Sequence, residues 1–264
     1  MTSPTAARRR VLLDAGAAKI DVLVEGTGPT VVLLPSSLRD SLDFDDVAGR
    51  IAAAGLCVLR PQPRGMGRSQ GPLQALSLSD LAVDVAHVIS KLGGGRAVVA
   101  GHAFGHYVAR VAALQHPQSV RGVVVMAGAA REFPAGVAET LAVASDPSRA
   151  TEERLAALHQ GFFAPGNDAA AWLHGWHPDL RQAYRHASAT PPKAQWWPVS
   201  PVPILDLQGD CDPWRPAATR DELQRVLGHK VTVRVLPQAS HALLPEQPAA
   251  VADAIIAWVR ALAI

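Results

Sequence analysis

At 264 residues, with 48% apolar residues and a net charge of +2, the chain has the size of one large α/β domain or of one domain carrying an insertion. No apolar run approaches the ~18 residues of a membrane span, and no stripe of Lys and Arg with interleaved aromatics marks a nucleic-acid or membrane surface. Cys57 and Cys211 stand far apart and form no metal-ligand spacing, which suits a reducing compartment.

Residues 1 to about 8 read as a polar tail without periodicity. Behind Arg8-Arg9-Arg10 the apolar stretch Val11-Leu12-Leu13 stops at Asp14. A secretory signal needs roughly 7–15 apolar residues there, so a cytoplasmic location is the expectation. Arg10 to Ala15 and Lys19 to Glu25 alternate as two strands of a hairpin, joined at Gly16-Ala17. Val31-Val32-Leu33-Leu34 and Cys57-Val58-Leu59 are strands apolar on both faces, with a helix over Val47 to Ala54 between them. Leu78 to Leu92 has helical spacing, capped by Ser77 or Ser79 and ended by Gly93-Gly94-Gly95. Those glycines precede a strand, the wrong context for a dinucleotide loop, and no cofactor is implied.

Val98-Val99-Ala100 then runs into Gly101-His102-Ala103-Phe104-Gly105, and a helical pattern follows at once. The pattern predicts a buried strand, a tight strained turn and a helix, with the residue at the turn presented into a cleft. Val123 to Met126 is a further strand. From Ala130 to about Val199 the strand pattern gives way to helical pieces rich in Ala, His and Trp (Leu155 to His159, Ala169 to His174, Leu180 to His186). Strand and helix resume with Ile204 to Leu207, Ala217 to Leu227, Val231 to Leu236 and Ala249 to Leu262. Alternating strands and helices predict an α/β fold with a mostly parallel sheet flanked by helices.

Four stretches, in order, make the chain resemble the α/β-hydrolase family over nearly its full length. They are Arg64-Gly65-Met66-Gly67-Arg68-Ser69, the Gly101–Gly105 elbow, Leu207-Gln208-Gly209-Asp210-Cys211-Asp212, and Ser240-His241 with the turn to Pro248. The resemblance implies an eight-stranded sheet, with 1–129 and 200–264 as the core domain and 130–199 as a small helical lid after the sixth strand. It also implies Asp212 as the acid, ahead of Asp210 and Glu132, and His241 as the base. The oxyanion hole falls to the backbone amides of Phe104 and Ser37, although the loop that usually begins His-Gly here reads Pro35-Ser36-Ser37. At the nucleophile position, where the family pattern has Ser, stands Ala103.

Each residue has a plainer reading. Ser36, Ser37 and Ser69 suit loop and cap hydroxyls, and Cys211 suits packing. His102 suits a position beside the sheet, whereas His106 is unusual where a small residue is common. Trp172, Trp176, Trp196 and Trp197, with His174 and His177, suit an aromatic pocket or the packing of a small lid equally; Ser36, Trp172, Trp176 and Trp197 are the candidate substrate-binding residues.

Ala103 leaves three readings open. An engineered replacement of Ser would make this an inactivated serine hydrolase. A native Ala would leave Asp212 and His241 to act without covalent catalysis, on water or as the base of a lyase, cyclase or cofactor-free oxygenase. The third reading is a pocket that only binds, as a sensor. The flanking sequences favour a native Ala, and retention of Asp212 with His241 favours chemistry. The expectation is an enzyme acting on a small, largely apolar ester, lactone or other carbonyl compound, as a monomer or homodimer, with no nucleic-acid or membrane partner.

Overall fold

The computed structural model describes residues 8–262. The tail expected over residues 1 to about 8 lies outside them except for its last residue. Eight strands, β1 (Arg9–Asp14), β2 (Lys19–Glu25), β3 (Thr30–Leu34), β4 (Cys57–Pro61), β5 (Ala97–His102), β6 (Val120–Met126), β7 (Ile204–Gly209) and β8 (Val231–Leu236), form one sheet. Its order is β1-β2-β4-β3-β5-β6-β7-β8. The β1–β2 and β2–β4 pairs are antiparallel, and every later pair is parallel. β3 and β5 are buried along their whole length, because a central parallel strand carries helices on both faces and needs apolar side chains on each.

Four helices cover the sheet: α1 (Asp45–Ala53), α2 (Leu78–Leu92), α3 (Phe104–Gln115) and, at the chain's end, a helix at Pro248–Ala261. α2 starts in a capping box between Ser77 and Asp80 and buries Leu81, Val85, Val88 and Ile89 on one stripe. α2 and α3 pack in one core with Val32, Val99 and Val123, while α1 and the terminal helix share the other with Val31, Val98 and Val124. Alternate residues of each strand therefore feed opposite cores.

Between β6 and β7 the chain forms α4 (Val137–Ala144), α5 (Thr151–Gly161), α6 (Arg181–Ala189) and α7 (Lys193–Trp196). The last part adds α8 (Glu222–Leu227), α9 (Leu243–Glu246) and α10, the terminal Pro248–Ala261 helix. Where a helix was expected over Ala169 to His174, only a 3-10 turn forms, at Ala169–Trp172. The single helix expected over Ala217 to Leu227 is a 3-10 turn followed by the short α8. The α4–α5 part packs around its own cluster of Leu158, Phe162, Phe163, Trp172 and Trp214. Tyr184, Ala187, Trp196 and Trp197 instead join the α2–α3 core.

The tryptophans serve this packing. Trp172 and Trp197 are each 2% exposed, and Trp196 is 1%. The Arg39 guanidinium lies 4.6 Å from the Trp172 ring and 4.7 Å from the Trp176 ring, and Trp176 Nε1 donates to the Trp172 carbonyl at 2.6 Å. Of the two readings open for these residues, packing describes them. Cys211 is corrected the other way: it is exposed, so it is not a packing residue.

Candidate active site

Ala103 sits between β5 and α3 at φ 45°, ψ −115°, a strained conformation for a residue with a Cβ. The flanking glycines make the turn possible. A Cβ on Gly101 would lie 2.2 Å from the carbonyl carbon of Gly105, and one on Gly105 would lie 2.4 Å from the carbonyl oxygen of Leu34. Backbone cannot give way at those distances, so the Gly-x-Ala-x-Gly spacing is a steric requirement.

Asp212 and His241 come from the turns after β7 and β8, which pair in parallel and so end at the same edge of the sheet. His241 Nδ1 lies 3.0 Å from Asp212 Oδ2, and both side chains are buried. The other oxygen of Asp212 accepts from the Trp214 N–H at 2.8 Å, which fixes the carboxylate plane. Asp210, the competing acid, is exposed and accepts from the Ala239 N–H at 3.3 Å, away from the histidine. Glu132 is exposed as well. The His241 ring rests on Trp214 (centroids 5.1 Å apart) and Phe162 (5.6 Å).

His102 completes this arrangement from behind. It is fully buried, and its Nε2 is 2.7 Å from the His241 carbonyl oxygen. A carbonyl only accepts, so Nε2 carries the proton and His102 ties the histidine turn to the end of β5. Burial, with the neighbouring His241, pushes the His102 pKa down to about 3, so the ring stays neutral. His106 points into the core beside Trp196 and Trp197, and neither ring nitrogen finds a partner. It is not part of the site. The Cys211 thiol is held above its ordinary pKa, first by its hydrogen bond to Asp210, the wrong direction for a nucleophile.

A cavity of about 520 Å³ opens over this edge, lined by Ser36, Ser37, Ala103, Phe104, Phe162, Trp214 and His241 among others. Trp172, Trp176 and Trp197 are not in its wall. The backbone N–H groups of Ser37 and Phe104 both belong to lining residues, and neither donates a hydrogen bond among the described residues. Phe104 opens α3, where the first amides have no intrahelical acceptor. Sequence reasoning missed the far wall, made of Tyr107, Arg131, Phe133, Leu141, Arg181, Tyr184, Arg185 and Lys193. The available signal was the spacing of Arg181, Tyr184, Arg185 and Ser188, one face of a helix. A smaller cavity of about 40 Å³ shares Ser36, Phe104 and Tyr184 with the large one. Among the described residues, no group of three or more His, Cys, Asp or Glu is placed to hold a metal ion. None of their helices is long and apolar enough to cross a membrane.

The sequence matches the family model described as "Alpha/beta hydrolase family" over residues 31–254. A 2-(acetamidomethylene)succinate hydrolase of Mesorhizobium japonicum is 30% identical over 118 residues, which are 45% of this chain and 41% of that protein. This curated relative is therefore matched over less than half of its length. Among solved structures, an esterase of Thermogutta terrifontis superposes with a TM-score of 0.77 at 23% identity, covering 97% of this chain and 99% of that one. An esterase of Exiguobacterium antarcticum gives a TM-score of 0.77 at 19% identity, over 92% of this chain and 96% of that one.

Proposed function

The chain belongs to the alpha/beta hydrolase family, and on that premise we propose that it hydrolyses a small, largely apolar ester or lactone without a covalent intermediate. The observation that carries the reading is one cavity lined by His241, hydrogen-bonded to Asp212, together with two amides that are unpaired among the described residues and no side-chain nucleophile at the elbow.

Asp212 keeps the proton of His241 on Nδ1, leaving the Nε2 lone pair as the base. His241 takes a proton from water as the water oxygen bonds to the carbonyl carbon. The N–H groups of Ser37 and Phe104 hold the oxyanion that forms. The leaving alkoxide then departs with the proton from His241, giving acid and alcohol. Losing the serine route forfeits much of the family's rate, yet oxyanion stabilisation and binding alone retain roughly 10³–10⁴-fold over water. Residues 130–199, with α4–α7, act as the lid over this cavity, and residues 1–129 and 200–264 as the core domain.

The test is turnover of a set of activated aryl esters and lactones by the unmodified protein, His241→Ala and Asp212→Asn. The expected losses are about 10²–10⁴-fold for His241→Ala, the range of a general base. Rates equal in all three proteins would sink the reading.

A further inference from the structure

The far wall of the cavity is cationic. On α6, Arg181, Tyr184, Arg185 and Ser188 stand at i, i+3, i+4 and i+7, so one helix face turns toward the cavity. Lys193, at the start of α7, and Arg131, after β6, line it too. Four basic side chains thus share one cavity whose lining residues include no Asp or Glu. The chain as a whole has a net charge of only +2, so this is a local concentration.

None of the four is neutralised by an ion pair. Among the described residues, no carboxylate lies within 4.0 Å of Arg131, Arg181, Arg185 or Lys193, although other arginines of the molecule are paired (Arg39, Arg60, Arg64, Arg215). Arg181 donates to Ser145 Oγ at 2.6 Å, a neutral partner. Lys193 Nζ donates once, to the Arg131 carbonyl at 2.8 Å, and has two further N–H groups. Burial and the charges of Arg110, Arg131 and Arg215 lower its pKa to about 8, against the opposing pull of Glu222. A cation held against like charges gains from an anion arriving in the cavity.

From this geometry we infer that the substrate carries an anionic group, a carboxylate or phosphate, seated between α6 and Lys193, with its carbonyl toward Ala103 and His241. The inference rests on the carbonyl-chemistry reading of the same cavity and adds the chemical class of substrate. The apolar middle of such a molecule lies along Phe133, Leu141 and Phe162. Arginine is suited to the anionic end because its fork binds either oxyanion with two parallel bonds.

The test reads binding rather than turnover, so it stands apart from the hydrolysis assays. Hexanoate and its neutral isostere hexanamide are titrated into the unmodified protein by calorimetry at low and high salt, then into Arg185→Gln and Arg181→Gln/Arg185→Gln. Hexanoate is expected to bind at least tenfold tighter than hexanamide at low salt. High salt and the double variant should each remove most of that preference, with hexanamide binding unchanged. Arg185 is exposed, and among the described residues only its backbone is hydrogen-bonded, its carbonyl accepting from Ser188, so its single variant keeps the fold and should lose part of the preference. Equal affinities for the two ligands, or a preference untouched by salt and by both variants, would overturn the proposal. Competition by inorganic phosphate separates the sources: displacement of hexanoate at matching concentration marks a phosphate group, and its failure marks a carboxylate.

Discussion

At Ala103 the backbone holds φ 45°, ψ −115° in the turn between β5 and α3, and on the proposed reading this is where a nucleophile's side chain would stand. The strain at φ 45° belongs to the turn, so Ala103→Ser should fold with stability within about 1 kcal/mol of the parent. Gly101→Ala should not, because its Cβ would sit 2.2 Å from backbone; the expected outcome is insoluble protein or a loss of more than ~3 kcal/mol in urea unfolding. A stable Gly101→Ala variant would mean that the turn is differently built. The preference for Asp212 over Asp210 rests on the family resemblance, since both follow β7, and Asp212 is the one hydrogen-bonded to His241. The grip of His102 on the His241 carbonyl was not legible, since it joins residues far apart in sequence, and the Trp214 N–H on Asp212, although only two residues away, depends on how the turn folds. Likewise, exposure of Cys211 follows from where the turn after β7 lies, which no local pattern encodes.

At the scale of elements, strands and flanking helices were read within a few residues, because burial on two faces writes an apolar run and burial on one face writes a helical stripe. Between β6 and β7, α5 and α6 were read within a few residues, but α4 and α7 were not. The helices of this segment pack against one another and against two different cores, so their periodicity is blurred, and its tryptophans fill that packing. In α3, His106 is buried with both ring nitrogens unpartnered, and an unsatisfied buried polar atom costs about 1–3 kcal/mol. His106→Leu should therefore be neutral or stabilising by up to ~1 kcal/mol in urea unfolding. A loss above about 2 kcal/mol would show that the ring has a partner, such as a buried water, that the packing alone does not reveal.

For the whole molecule, buried histidines contribute to the response to acid. His102 is held at about 3 and His106 well below 6.5, both first by burial, so neither takes a proton in the fold although both do when unfolded. Groups with a depressed folded pKa contribute stability above the unfolded value and lose it as pH falls toward the folded one, by up to ~1.4 kcal/mol per pH unit each. Asp206 works against them. Burial raises its pKa to about 6, so between there and 3.8 the folded state takes up a proton that the unfolded state does not. The clean readout is a difference: the stability of His106→Leu relative to the parent should grow as pH falls from 6.5 toward 4. A constant difference across that window would place His106 in a titratable, solvated site.

The most direct test of the central claim, that this cavity is built for His241-driven carbonyl chemistry, is pre-steady-state hydrolysis of an activated aryl ester by Ala103→Ser. The account predicts a burst of phenol stoichiometric with protein, a rate raised by orders of magnitude over the parent, and loss of both when His241→Ala is added. An Ala103→Ser protein no faster than its parent, with no burst, would contradict it.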